Sequence, residues 1–194
     1  RREALKGVGV LAALGLFTHA RHGKVDSHVD VATGDGTRYL RPPGAVAEAE
    51  FAARCVRCHK CVEDCSNRCI RLVGAEGSAE ARGTPYIVPR EKGCTLCMRC
   101  NQGCPSGALE PVDPDDERIW EQVAMGKATI DTNICHSHNG YVCGVCIRAC
   151  PLQGLALAAD LWEVPVLDPD YCVGCGLCEQ ACFHMPQAIR VTAA

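Results

Sequence analysis

Sixteen of the seventeen cysteines fall into four groups of four. Cys55, Cys58, Cys61 and Cys65 lie in CVRCHKCVEDC, and Cys94, Cys97, Cys100 and Cys104 in CTLCMRCNQGC. Cys135, Cys143, Cys146 and Cys150 lie in CHSHNGYVCGVCIRAC, and Cys172, Cys175, Cys178 and Cys182 in CVGCGLCEQAC. The first, second and fourth groups read C-x2-C-x2-C-x3-C without deviation, the bacterial iron–sulfur run. Three thiolates at that spacing sit on one tight loop that can wrap a cubane and hold three of its iron corners, with backbone N–H groups turned toward the sulfurs. The fourth cysteine is expected to open a helix and turn away to ligate a neighbouring cluster. Pro105 and Pro151 follow two of these fourth cysteines and suit the first turn of such a helix, where an N–H would be unpaired anyway.

Zinc takes four ligands in a tetrahedron, commonly from two separated C-x2-C pairs, and has no use for a third and fourth cysteine in each run. A disulfide framework does not crowd three thiols onto one loop. The spacing therefore predicts four [4Fe–4S] clusters. Cys69 is the odd cysteine: aligned on the fourth ligands, it falls where the second group has Ala108 and the third has Gly154. That is a small packing position, so Cys69 is expected to be a buried small hydrophobe and not a ligand. Ser66 replaces the usual proline after Cys65, and Phe183 replaces it after Cys182. In the third group seven residues, HSHNGYV, separate Cys135 from Cys143, so a wider loop holds that cluster. Its His136 and His138 are expected to face water, while His59, Lys60 and His184 lie beside ligands as candidates for tuning.

The runs need elements to position them, and short apolar or β-branched stretches flank them. Strands are predicted within 84–88, 107–112, 128–130, 155–159, 164–167 and 188–191. Residues 113–126, with an Asp-Pro start, early acids and a terminal glycine, predict a helix whose Ile119, Trp120 and Val123 pack on the core. Pro42 and Pro43 end one conformation, and an alanine-rich helix begins that delivers the chain to Cys55. At 194 residues with only 5% aromatics, the chain has a weak conventional core, and metal clusters would organise the interior. A net charge of −3 with scattered basic residues argues against nucleic acid as a partner. No general base, nucleophile, phosphate loop or open metal position stands out, so no catalytic residue is expected, and the chain reads as an electron-transfer subunit.

Residues 1–20 differ in kind. Arg1, Arg2 and Lys6 precede an apolar stretch from Gly7 to about Thr18. A dozen residues at ~1.5 Å each reach roughly 18 Å, short of the ~30 Å hydrocarbon core. Paired arginines before such a stretch mark the twin-arginine export route. A chain that must fold around its clusters in the cytoplasm needs that route. The segment RREALK is similar to the RRxFLK consensus, with Ala4 at the phenylalanine position. The expected divisions are a signal or anchor at 1–20, a linker at 21–43 and a four-cluster body at 44–194.

With RREALK, LRPPGA, the regular cysteine runs, the expanded third run ending CIRACP and the final CVGCGLCEQAC, nearly the whole chain resembles the periplasmic ferredoxin-type proteins of the NapG/MauM family. The resemblance implies four [4Fe–4S] clusters and an integral membrane ferredoxin-type or quinol-oxidising partner. It also implies a periplasmic reductase or cytochrome as the other partner, in nitrate reduction or methylamine utilisation, and a place at the outer face of the inner membrane. A built-in wiring subunit of a larger dehydrogenase or reductase, or a noncatalytic maturation factor, are the alternatives. A more distant similarity to the wiring subunits of molybdenum oxidoreductases implies an α+β fold of two ferredoxin-like modules, the second nested inside the first. Runs 55–69 and 172–182 would then form one module, and 94–104 and 135–150 the other. In that arrangement Cys182 joins Cys55, Cys58 and Cys61; Cys65 joins Cys172, Cys175 and Cys178; Cys150 joins Cys94, Cys97 and Cys100; and Cys104 joins Cys135, Cys143 and Cys146. Spacing alone leaves sequential pairing open.

Overall fold

The computed structural model describes residues 39–194. The expected signal or anchor at 1–20 and most of the linker lie outside the described residues. Among the described residues no helix is long and apolar enough to cross a membrane.

The chain enters through helix α1, Glu48–Arg54, which carries acids in its first turn and Arg54 in its last, as the helix dipole favours. Its Phe51 is fully buried, and the Cys55 N–H closes the helix on the Phe51 carbonyl at 2.9 Å, which delivers the chain to the first run as expected. Helix α2, Lys60–Glu63, follows inside that run. Strand β1, Ile70–Leu72, pairs antiparallel with β2, Pro85–Ile87, in the register Ile70 opposite Ile87. Helix α3, Arg99–Gln102, lies in the second run. The chain then passes through α4, Ile119–Gln122, to β3, Gly126–Ile130. Helix α5, Val145–Ala149, lies in the third run, and β4, Leu157–Asp160, pairs antiparallel with β5, Val164–Leu167. Helix α6, Leu177–Ala181, lies in the fourth run, and β6, Ile189–Ala193, returns to pair antiparallel with β3.

This topology repeats itself in sequence order, and the nested arrangement is not formed. In the second half, β3 and β6 bracket the third and fourth runs while β4 and β5 pair between them. In the first half, an antiparallel bridge between Ala45 and Leu109 brackets the first and second runs while β1 and β2 pair between them. Nesting would require an outer pair enclosing the first and fourth runs, and the segments before the first run and after the fourth are committed elsewhere. The strand expected within 107–112 is reduced to that bridge at Leu109, because Pro43 and Pro111 cannot donate to a longer ladder.

Two further expectations are corrected. Residues 113–126 are helical only over Ile119–Gln122, and Gly126 opens β3 instead of ending a helix. Asp113 and Asp116 accept from the backbone N–H groups of Asp115 and Arg118 at 2.9 and 2.8 Å, turns that compete with a helix start. Ile119 and Val123 still pack in the core, and the Trp120 ring meets Tyr171 edge-on at 5.2 Å. The body also begins before residue 44: residues 39–43 are all buried. There Arg41 lies over the rings of Tyr39 and Phe51 at 4.9 and 4.6 Å, and donates to Thr84 Oγ1, the Pro85 carbonyl and Glu48.

The halves meet along a seam of backbone. Cys94 N–H donates to the Cys175 carbonyl at 2.7 Å, and Met125 N–H donates to the Val173 carbonyl at 3.1 Å. A Cβ on Gly174 would lie 2.4 Å from the Gly126 nitrogen, so glycine is required for that approach.

Candidate metal centres

Each run is shaped by left-handed backbone around its second cysteine. Arg57 and His59 flank Cys58 at φ 56° and 63°, Leu96 and Met98 flank Cys97 at 57° and 53°, and Gly174 and Gly176 flank Cys175 at 73° and 82°. In the expanded third run the residue after Cys143, Gly144, is left-handed at φ 59°, as is Gly140 within the longer first gap at 86°. Such alternation turns successive N–H groups into a concavity that suits iron–sulfur sites. The first two runs use side-chain-bearing residues where this conformation costs roughly 1–2 kcal/mol each.

Helices α2, α3, α5 and α6 carry the third cysteine of each run and end at or just before the fourth. The expected helix at the fourth cysteine is therefore corrected: the helix stops there instead of starting. Cys150 and Cys182 are extended C-caps, with ψ 123° and 113°, and this extension throws their sulfurs toward the neighbouring site. Pro105 and Pro151 follow the ends of helices, where a residue that cannot continue a helix is common.

Four cavities result, each lined by cysteines from two runs. The first site gathers Cys55, Cys58, Cys61 and Cys104 around about 370 Å³. The second gathers Cys65, Cys94, Cys97 and Cys100 around about 290 Å³, with Cys69 also in its wall. The third gathers Cys150, Cys172, Cys175 and Cys178 around about 360 Å³. The fourth gathers Cys135, Cys143, Cys146 and Cys182 around about 400 Å³. The groupings that nesting implied are not brought together: Cys104 replaces Cys182 beside the first run, Cys65 replaces Cys150 beside the second, Cys182 replaces Cys104 beside the third, and Cys150 replaces Cys65 beside the fourth. The cause is the outer strand pairing described above, which closes each half on itself.

The donor chemistry fits an iron–sulfur cluster. Burial, then the proximity of other cysteines, pushes the thiols of Cys61 and Cys146 up to about 11 and those of Cys100 and Cys175 up to about 12. Burial likewise raises Cys150 and Cys178. Thiolates so disfavoured need a cationic centre to ionise, and a metal supplies it. Among the described residues no group of three or more His, Cys, Asp or Glu side chains is arranged to hold a single ion. Four sulfurs spread around the wall of one cavity suit the separated corners of a cubane better than one tetrahedral ion. All seventeen thiols are free.

Several side chains near the sites were not assigned a role by spacing. Cys69 is buried as expected, but its Sγ lies 3.6 Å from Cys65 Sγ and so faces the site. Hydrogen bonding to Cys94, then burial, keeps the Cys69 thiol protonated, and the same bond holds Cys94 below the ordinary thiol range. Ser66 Oγ lies 3.2 Å from Cys97 Sγ. Burial opposes ionisation of Cys97, but hydrogen bonds from Ser66, the Arg99 backbone and Thr95 outweigh it and lower the thiol. The serine at the proline position was the available signal for this contact.

His59 and Lys60 line the first site, with Lys60 ion-paired to Asp64 at 2.9 Å. His136 and His184 line the fourth, their rings 5.0 Å apart and edge-on, and His136 also meets Phe183 at 5.1 Å. His138 is exposed as expected.

Comparison with known proteins points to binding of 4Fe-4S clusters. The family model for a 4Fe-4S dicluster domain matches residues 54–108, which span the first and second runs. A second, for a 4Fe-4S binding domain, matches residues 165–184. The methylamine utilization ferredoxin-type protein MauM of Paracoccus denitrificans is 37% identical across 97% of this chain and 84% of its own length. MauM of Methylorubrum extorquens is 35% identical across 98% of this chain and 88% of its own length. The ferredoxin-type protein NapG of Escherichia coli is 35% identical across 98% of this chain and 82% of its own length.

Proposed function

The chain belongs to the MauM and NapG family of ferredoxin-type proteins, and from that premise we propose that it is an electron carrier with four [4Fe–4S] clusters and no substrate chemistry of its own. The single observation that carries this reading is the set of four cavities, each gathering the first three cysteines of one run and the fourth of another. Cys55, Cys58, Cys61 and Cys104 would hold the first cluster, and Cys94, Cys97, Cys100 and Cys65 the second. Cys172, Cys175, Cys178 and Cys150 would hold the third, and Cys135, Cys143, Cys146 and Cys182 the fourth. Bound clusters of this kind supply one-electron oxidation and reduction.

The protein's own part is to fix the order of the sites. Crossed fourth ligands join the first site to the second and the third to the fourth. The hydrogen bond from Cys94 to Cys175 sets the second and third sites back to back. The order along the relay is thus first run, second run, fourth run, third run. With cysteine facing every corner, no iron is left open for a substrate. The route runs between a membrane quinol-oxidising or ferredoxin-type subunit and a periplasmic reductase or cytochrome, with the paired Arg1 and Arg2 supporting export of the loaded protein.

Anaerobic metal and sulfide analysis tests the cluster content: about 16 iron and 16 sulfide per chain are expected. Half that amount, or zinc in place of iron, refutes the reading. Arg1→Lys with Arg2→Lys is expected to hold the loaded protein in the cytoplasm, and fractionation that still finds it outside refutes the export route. Gentle membrane extraction identifies the partner.

A further inference from the structure

The second site contains side-chain donors that the other sites lack at the equivalent positions. Cys69 is only 4% exposed. Its Sγ lies 3.6 Å from Cys65 Sγ, and its backbone N–H donates to the same sulfur at 3.4 Å. On another wall, Ser66 Oγ lies 3.2 Å from Cys97 Sγ. At the corresponding positions after Cys104 stand Pro105 and Ala108, and after Cys150 stand Pro151 and Gly154, none of which has a side-chain donor. Phe183 follows Cys182 and has none either. The first site receives one hydroxyl, from Ser106 to Cys104 at 3.6 Å, longer than the Ser66 contact.

We infer that Cys69 and Ser66 act as outer hydrogen-bond donors to the ligands of the second cluster and raise its reduction potential. This rests on the cluster reading above. A cubane has four irons, and Cys65, Cys94, Cys97 and Cys100 already face four corners, so the Cys69 thiol remains protonated and free to donate. A thiol is a weak donor, but a thiolate acceptor makes the bond charge-assisted. Reduction adds negative charge that is shared with the ligand sulfurs. Donors aimed at those sulfurs therefore stabilise the reduced form more than the oxidised one, and the potential rises. Both residues act through the ligands, so they are positioning residues, and together they make the second site an electron well inside the relay.

The test is a potentiometric titration of the full loaded chain, followed by electron paramagnetic resonance, on the wild type, Cys69→Ala, Ser66→Ala and Cys69→Ser. Both alanine variants are expected to keep the wild-type iron and sulfide content and to lower one and the same midpoint. The shift is up to roughly tenfold in the one-electron equilibrium, which is about 59 mV. Cys69→Ser replaces one donor by another and is expected to restore the midpoint, which a purely packing role for Cys69 would not predict. Iron loss in Cys69→Ala would make Cys69 a ligand and overturn the inference, as would unchanged midpoints in both alanine variants. Ser66 is exposed, so its variant tests the donor effect without disturbing the core. A wild-type chain without clusters would instead overturn the underlying reading.

Discussion

Adding one methyl group at Gly93 should separate the two halves of the relay. Gly93 sits where the second-run loop meets the fourth: its N–H donates to Gln180 Oε1 at 2.9 Å, and its carbonyl accepts from Asn67 Nδ2 at 2.7 Å. A Cβ there would lie 2.7 Å from the Leu177 nitrogen, 2.8 Å from the Gly176 carbonyl carbon and 2.9 Å from Leu177 Cα. All three are backbone atoms and cannot swing aside. Ordinary contact begins at 3.4 Å, so the loops must part by 3.4 less 2.7, about 0.7 Å. Gly93 is not among the residues of positive φ, so alanine adds no conformational strain of its own. Overpacking of this kind costs about 1–3 kcal/mol. The neighbouring bond from Cys94 to Cys175, worth about 1 kcal/mol, is the first contact to stretch. Anaerobic denaturant unfolding of the loaded Gly93→Ala protein should show that loss, and magnetic coupling between the two inner clusters should weaken in the same sample. Wild-type stability together with unchanged coupling would refute the seam as described.

Other outcomes follow from the same geometry. Cys61→Ala should lose or convert one cluster and destabilise the first half together with it, read as lost iron and a lower unfolding midpoint. Arg41→Ala removes a buried guanidinium that holds Thr84, Pro85 and Glu48, and should cost about 2–3 kcal/mol in denaturant unfolding with cluster content unchanged. Thiols raised to about 11 and 12 are protonated at neutral pH, so loading must release protons and should tighten as pH rises toward 9. Proton release during anaerobic reconstitution in weak buffer checks that sign. In the cluster-free chain the same raised thiols favour the folded form below pH 9, and that contribution falls as the pH rises from 9 toward 11, measurable by urea unfolding under reductant.

The grouping of the cysteines around each site was legible in the sequence because a run specifies its own loop: three cysteines at fixed intervals define one concave turn whatever surrounds it. The helix before Cys55 and the strands that became β2 through β6 were legible for the same local reason. Pairing of runs was not. The fourth cysteine leaves its own site, but where it arrives depends on which strands close each half, and that is decided by the meeting of Ala45 with Leu109 and of β3 with β6. β1 escaped notice because three residues with Arg71 at the centre carry too little alternation to register. The helix over 113–126 was overread because aspartates that favour a helix start in sequence also form turns of their own. For Cys69 the alignment with Ala108 and Gly154 conveyed the size of the position, whereas the direction of the side chain depends on the turn after Cys65.

The sites are also the core, and this connects folding to cluster loading. The chain is only 5% aromatic, and one hydrophobic cluster counts Cys65, Cys69, Cys94, Cys100 and Cys175 among its buried members, beside Phe51, Met98 and Leu109. Each site is walled by cysteines where a conventional core would place large side chains, and burial pushes several of their thiols up. A small body with so few large side chains draws on bound metal for its stability. Binding free energy and folding free energy are then largely the same quantity. A chain of this kind is expected to lose much of its stability without clusters. Loading and folding then become one event, which is the order that the export route proposed above requires.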